Sequence, residues 1–288
     1  MKKIFAIIFS ALAGLALYAG PAGVDVKKKH CDELTVISYN VRLVTPDDGD
    51  NQWKYRAPAT PAMIKDYCPD IFGVQEAVLE QLEYMDKHLP NYSYVGVGRE
   101  NGKQRGETMA IFYNTKRVKL LDWGTYWLSE TPDVPSRGWD AACRRTVTWT
   151  LMEMKDSGRR FFYVNTHLDH VSTDAQDLGG KLIAEKAEEI KNKYVEIAVV
   201  ITGDFNQYPD GLAIKALEEK GFVKASDTVE NGNKIGTYHG WGKVDETAPI
   251  DFIFTDESRK ISNYKVHSEK IGKSYVSDHF MITAEVEM

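Results

Sequence analysis

Cysteine is scarce in this chain: Cys31, Cys68 and Cys143 are the only three in 288 residues. At most one disulfide closes within such a chain. Cys68 falls at a helix end and Cys143 beside two arginines, which fits structural thiols and no catalytic one. Long apolar runs are missing too. The run from Ile4 to Leu17 falls short of the roughly 20 residues a spanning helix needs, so no transmembrane anchor is expected. It follows Lys2-Lys3 and precedes Ala19, Gly20, Ala22 and Gly23, the pattern of a cleavable export signal over residues 1–23. No cysteine adjoins those small residues, so a lipid anchor is not expected, and the mature protein is placed in the periplasm or outside the cell.

Positive charge is not in excess. The chain holds 36 basic and 42 acidic residues, a net charge of −6, and loss of Lys2 and Lys3 with the signal takes it to −8. Proteins that neutralise many phosphates of a long polymer carry a basic face, so this balance argues against a general nuclease. It leaves room for a local basic pocket. From Leu34 onward there is no linker, low-complexity tract or charge block, so residues 34–288 read as one domain behind a polar lead-in at 24–33.

What is present is a β-rich pattern. Fifteen tyrosines, eleven phenylalanines and six tryptophans suit a β-rich interior. Strands are expected at 34–41, 70–74, 92–97, 108–113, 116–121, 145–154, 160–166, 197–201, 250–254, 261–267 and 280–286. Helices are expected at 53–67, 77–88, 173–192 and 210–220, the third with Ala175, Leu178, Leu182, Ala187 and Ile190 on its apolar face. Residues 123–143 read as a long loop. Strands with helices inserted between them suggest two packed sheets covered by helices on their outer faces.

Several strands end in small polar or acidic residues. Ile197 to Ile201 runs into Gly203-Asp204-Phe205-Asn206, and other strands run into Asn40, Gln75-Glu76 and Asn165-Thr166-His167. Asp251 and Ser277-Asp278-His279 complete the set. Carboxylates, two histidines and carboxamides at strand ends are what a metal-dependent phosphoester hydrolase needs. Its anionic substrate repels a nucleophile until a cation neutralises the phosphoryl oxygens.

In this order the motifs resemble those of the endonuclease/exonuclease/phosphatase superfamily, over about residues 34–288. The resemblance implies a DNase I-like four-layer α/β/β/α sandwich of mainly antiparallel sheets. It implies hydrolysis of a phosphomonoester or phosphodiester by in-line attack of an activated water, with Mg²⁺ or Mn²⁺ as cofactor. Glu76 would hold the metal, with Asn40 completing the shell directly or through water and Asp278 assisting. His279, oriented by Asp251, would activate water or clamp the phosphate. Asp204 would orient or deprotonate the water, and Asn206 and His167 would hydrogen-bond the phosphoryl group with Asn165 in support.

Outside that core the residues leave alternatives open. Arg144 or Arg145 would hold a second phosphate or acidic group, or be merely solvated. Asp169 and His170 would bind a second metal, substrate or nothing. Trp123, Trp127 and Trp139 would form a stacking wall or pack in the core. Glu107 has no assigned role. The substrate is a phosphorylated small molecule or a short nucleic acid, the latter in a nocturnin-like 3′ exonuclease. A family member that only binds a phosphorylated ligand is the non-enzymatic alternative. No protein partner is readable.

Overall fold

Alternating β-branched and aromatic residues carry the chain into its first strand, β1 (Glu33–Asn40). The computed structural model describes residues 32–194, 196–271 and 274–288. The expected export signal, Cys31 and nearly all of the lead-in at 24–33 lie outside the described residues; Glu33 already belongs to β1.

After β1 come α1 (Trp53–Arg56), α2 (Ala59–Tyr67), β2 (Ile71–Gln75), α3 (Leu79–His88), β3 (Tyr92–Val95), β4 (Ile111–Asn114) and β5 (Val118–Trp127). The chain continues through β6 (Thr146–Met154), β7 (Arg160–His167), α4 (Thr173–Lys193), β8 (Ala198–Asp204), α5 (Leu212–Glu218) and β9 (Phe222–Lys224). It ends in β10 (Asp251–Asp256), β11 (Ile261–His267) and β12 (Met281–Glu287).

The strands form two six-stranded sheets, in the orders β11-β12-β1-β2-β4-β3 and β5-β6-β7-β8-β10-β9. Their inner faces share a core that includes Ile71, Phe161, Tyr163, Val200 and Ile282. On the outer face of the first sheet, Ile64 of α2 and Leu82 and Met85 of α3 pack on Tyr39 and Phe72. On the second, Ile183 of α4 and Ile214 and Leu217 of α5 pack on Val199 and Phe252. This is the expected four-layer α/β/β/α sandwich.

Topology brings the strand-end motifs together. Each sheet has one parallel pair joined through helical segments, β1 with β2 and β7 with β8. The registers set Asn40 beside Gln75 and His167 beside Asp204. The antiparallel strand β10 runs the other way, so its first residue, Asp251, lies opposite Asp204. β12 is likewise antiparallel to β1, which puts Asp278 and His279, just before it, at the same end of the sandwich.

Several expectations are corrected. The helix over 53–67 is two helices, because Pro58 has no N–H to give the preceding turn. The first five residues of the loop at 123–143 belong to β5, where Trp123 pairs with Thr150 and Trp127 with Thr146 of β6. The short strand β9 escaped the sequence reading. In α4, Leu178 is 40 % exposed and the buried face carries Ala175, Gly179, Gly180, Ile183, Ala184 and Ala187. Gly180 explains the rotation: a Cβ there would lie 2.3 Å from the Cβ of Ala213, so glycine lets α5 approach closely.

Candidate active site

Two residues at the carboxyl ends of parallel strands leave the strand conformation in the same way. Glu76, after β2, has φ +62°, and Asn206, two residues past β8, has φ +49°. Left-handed backbone costs a non-glycine residue on the order of 1 kcal/mol or more, and such strain gathers where side chains must be aimed. Here it turns both side chains into a cleft of about 280 Å³ at the end of the sandwich.

Asn40 sits at the centre. Its Nδ2 donates to Glu76 Oε1 and to Asp204 Oδ2, each at 3.0 Å, while its Oδ1 accepts the Arg42 N–H at 3.0 Å. In this geometry Asn40 orients two carboxylates, Glu76 and Asp204. Glu76 Oε2 also accepts the Leu43 N–H at 3.0 Å. Burial pushes the Glu76 carboxyl up, but His279, Asn40, the Leu43 N–H and Arg42 outweigh it and hold it below its ordinary range.

His279 Nδ1 lies 2.9 Å from Asp251 Oδ2, and Nε2 lies 3.7 Å from Asp204 Oδ2. Burial pulls this imidazolium down, yet Asp251 and Asp204 more than offset that and raise it to about 10. His279 is therefore a cation at neutral pH. Asp204 is pushed up by burial and by Asp251, with His279 opposing. Asp278 is also pushed up by burial against the pull of His279. His167 Nε2 stands 3.4 Å from Asp204 Oδ2 and 3.0 Å from Asn206 Nδ2, which also donates to the Leu168 carbonyl. Burial, then Arg145 and Arg99, keep His167 neutral.

The donors suit a hard divalent cation. Glu76, Asp204 and Asp278 line one cleft together, and burial raises the last two, because their charged forms lack solvation that a bound cation would replace. Oxygen donors are what Mg²⁺ and Mn²⁺ take. Two other groups of ligand-type atoms lie close together. Asp251 and His279 are already committed to one another. Asp169 is saturated: Oδ1 accepts from the Val171 and Ser172 N–H groups, and Oδ2 from Ala142 N–H and Arg145 Nε. With Cys143 and His170 it makes no metal site; it holds Arg145.

The remaining expected residues divide. Arg145 is buried, lines the cleft and reaches His170 Nδ1 at 2.7 Å, and the exposed His170 lines it too. Arg144 does not line it; its Nη1 pairs with Glu100 at 2.7 Å. Asn165 is corrected as a substrate contact. It is fully buried between the sheets, where its Nδ2 donates to the Val74 and Ala110 carbonyls and its Oδ1 accepts from Gln75 Nε2. The tryptophans form no stacking wall. Trp123 is part of β5, Trp139 packs against the outer core of the second sheet, and Trp127 donates Nε1–H to the Arg99 carbonyl at 2.7 Å.

Sequence reasoning missed Arg42, Arg99 and Tyr238, all of which line the cleft. Arg42 lies 3.8 Å from Glu76 and 3.6 Å from Asp278. Its place two residues after Asn40 was the one signal available; Arg99 and Tyr238 are loop residues without one.

A sandwich whose parallel strands aim carboxylates, carboxamides and a carboxylate-paired histidine into one cleft defines a class of phosphoester hydrolases. The chain belongs to the Endonuclease/Exonuclease/phosphatase family, which its residues 37–279 match. It is similar to an endonuclease/exonuclease/phosphatase family protein of Bacteroides thetaiotaomicron, with 34% identity, 88% of this chain and 94% of that one covered, and a TM-score of 0.81. A mannosyl-6-phosphatase of Bacteroides thetaiotaomicron is 33% identical, with 88% and 100% covered and a TM-score of 0.81. The human nocturnin catalytic domain shares the fold at 18% identity, with 88% and 94% covered and a TM-score of 0.70.

Proposed function

We propose that this protein is an exported, divalent-metal-dependent phosphomonoesterase acting on a small phosphorylated sugar. The observation that carries the reading is the size and chemistry of the cleft. At about 280 Å³ it is smaller than the roughly 300–1,000 Å³ of drug-sized ligand sites. Its walls are charged, and the chain as a whole is acidic. Such a site suits one phosphate and one ring better than a polymer. Likeness along the whole length of a mannosyl-6-phosphatase supports the same class. Among the described residues that line the cleft Tyr238 is the one phenolic or indole side chain, which leaves a nuclease reading with little to stack a base on.

In this reading Glu76 and Asp278 hold the metal, which when bound neutralises charge on the phosphoryl oxygens. Asp204 accepts a hydrogen bond from the attacking water and takes its proton as the new P–O bond forms and the ester P–O bond breaks. His279, kept cationic by Asp251, and Asn206, beside the neutral His167, stabilise the charge that collects on the phosphoryl group. The departing alkoxide leaves with a proton from solvent or from His279.

Phosphate release from hexose phosphates, a nucleotide, a short RNA and bis-p-nitrophenyl phosphate tests the proposal, with Mg²⁺, Mn²⁺ or chelator. Release from a hexose phosphate that chelator and His279→Ala both abolish is expected. Diester cleavage without activity on monoesters would overturn it, and ligand binding without turnover would favour the binding-only alternative.

A further inference from the structure

One wall of the cleft is built from residues that the hydrolytic step does not use. Arg99 and Glu107 face each other fork to fork, with Nη1 donating to Oε2 at 2.8 Å and Nη2 2.6 Å from Oε1. Each side chain is 12 % exposed, and both line the cleft. The loop carrying them is closed by its own backbone: Arg99 N–H donates to the Glu107 carbonyl and Gly98 N–H to that of Lys103. Trp127 fastens the Arg99 carbonyl from below, and Thr108 N–H donates to Ala77, the residue after Glu76. The pair therefore stands at a fixed offset from Glu76.

A largely buried ion pair is a weak source of stability, because desolvation offsets most of its attraction. Its hydrogen-bonding capacity is more informative. Each Nη nitrogen has a second N–H and each carboxylate oxygen a second lone pair. The Arg99 Nε is buried, 3.9 Å from Glu100 Oε1, so the hydrogen-bonding capacity open to a ligand lies at the Nη nitrogens and the Glu107 oxygens. A locked row of alternating donors and acceptors matches neighbouring hydroxyl groups, each of which donates and accepts.

Other occupants fit less well. A nucleobase needs a ring to stack on, yet Tyr238 leans on His279 at 5.0 Å between centroids. An acyl chain needs an apolar wall, and the aliphatic residues lining this cleft are Leu43 and Ile250. A second phosphate would meet the Glu107 carboxylate, with the charge of Arg99 already balanced.

We propose that the Arg99–Glu107 pair is the subsite that reads vicinal hydroxyls on the leaving group, selecting a polyhydroxylated alcohol over aryl, nucleoside or acyl alcohols. This rests on the phosphomonoesterase reading above. The test compares kcat/KM for a hexose phosphate, its singly deoxygenated analogues and p-nitrophenyl phosphate, in the wild type, Glu107→Gln and Arg99→Lys, with thermal melting to verify folding. The preference for hexose phosphate over the aryl ester should fall at least about 30-fold in Glu107→Gln, since a site built to bond a hydroxyl discriminates strongly against its loss. One deoxygenated analogue should lose as much with the wild type and show little further loss with the variant. An equal fall on all substrates, or none, would overturn the proposal. Wild-type cleavage of sugar phosphates with a preference over the aryl ester that neither variant alters defeats this inference alone, whereas no turnover of any sugar phosphate defeats the underlying reading as well.

Discussion

Asp251 Oδ2 and His279 Nδ1 are 2.9 Å apart, although 28 residues separate them in sequence. Their contact follows from strand direction, since both residues stand at the entry to antiparallel strands whose first residues reach the end of the sandwich where the parallel strands finish. A carboxylate on Nδ1 stabilises the imidazolium and directs Nε2 into the cleft. Asp251→Asn keeps the shape and removes that charge. The expected result is a fall in kcat of about 10²-fold or more, with His279 titrating nearer its ordinary value by nitrogen-15 NMR of the metal-free protein. An unchanged titration would remove Asp251 from the role.

Metal binding should be readable without turnover. A ligand that binds only the folded state adds about 2.7 kcal/mol at a hundred times its Kd, so Mn²⁺ or Mg²⁺ should raise Tm by several degrees. Glu76→Gln should lose most of that rise. Asp278→Asn should separate two effects. Burial raises the Asp278 carboxyl, so its charge disfavours the metal-free fold and the variant should melt no lower than wild type without metal. Added metal should then stabilise it less. Equal metal-induced shifts in all three proteins would rule out these carboxylates as ligands.

The strands and the residues at their ends were legible because a buried strand reads as an apolar, β-branched run, and a polar residue closing it has few reasons to be there. Depth was not legible. Asn165 and His167 are two apart and share a face of β7, yet only His167 reaches the cleft, while Asn165 lies one pair deeper between the sheets. The buried face of α4 was misread because apolar periodicity favours Leu178, whereas close helix approach selects Gly179 and Gly180. Arg99 and Glu107 meet only through loop closure, which sequence spacing does not encode.

Asn165 ties the sheets together, so its removal should cost stability. Gly73 makes room for it: a Cβ there would lie 2.4 Å from Asn165 Oδ1. Asn165→Ala leaves the Gln75 carboxamide and the Val74 and Ala110 carbonyls short of partners in a buried layer. A loss on the order of 1–3 kcal/mol is expected in urea denaturation. Full stability with a raised KM would restore the substrate-binding role expected from the sequence.

Acid sensitivity should have one source far from the chemistry. His267, in β11, sits 2.9 Å from Thr283 Oγ1 and against the Tyr67 ring at 4.3 Å between centroids. Its Nδ1 has no hydrogen-bond partner among the described residues. Burial, with Lys265 adding to it, holds its folded-state pKa down to about 4 against an ordinary 6.5. Above 6.5 the ring is neutral in both folded and unfolded chains. Between 6.5 and 4 the unfolded chain takes a proton that the folded one refuses, so stability falls as pH falls through that window, by about 3 kcal/mol in all. Below 4 this contribution changes no further. His239 is held down to about 4 by burial as well, so His267→Gln should lessen the loss between pH 7.5 and 5 without abolishing it. Urea denaturation at those two pH values measures the difference, and a variant as acid-sensitive as wild type would mean that His267 already takes up its proton in the folded protein.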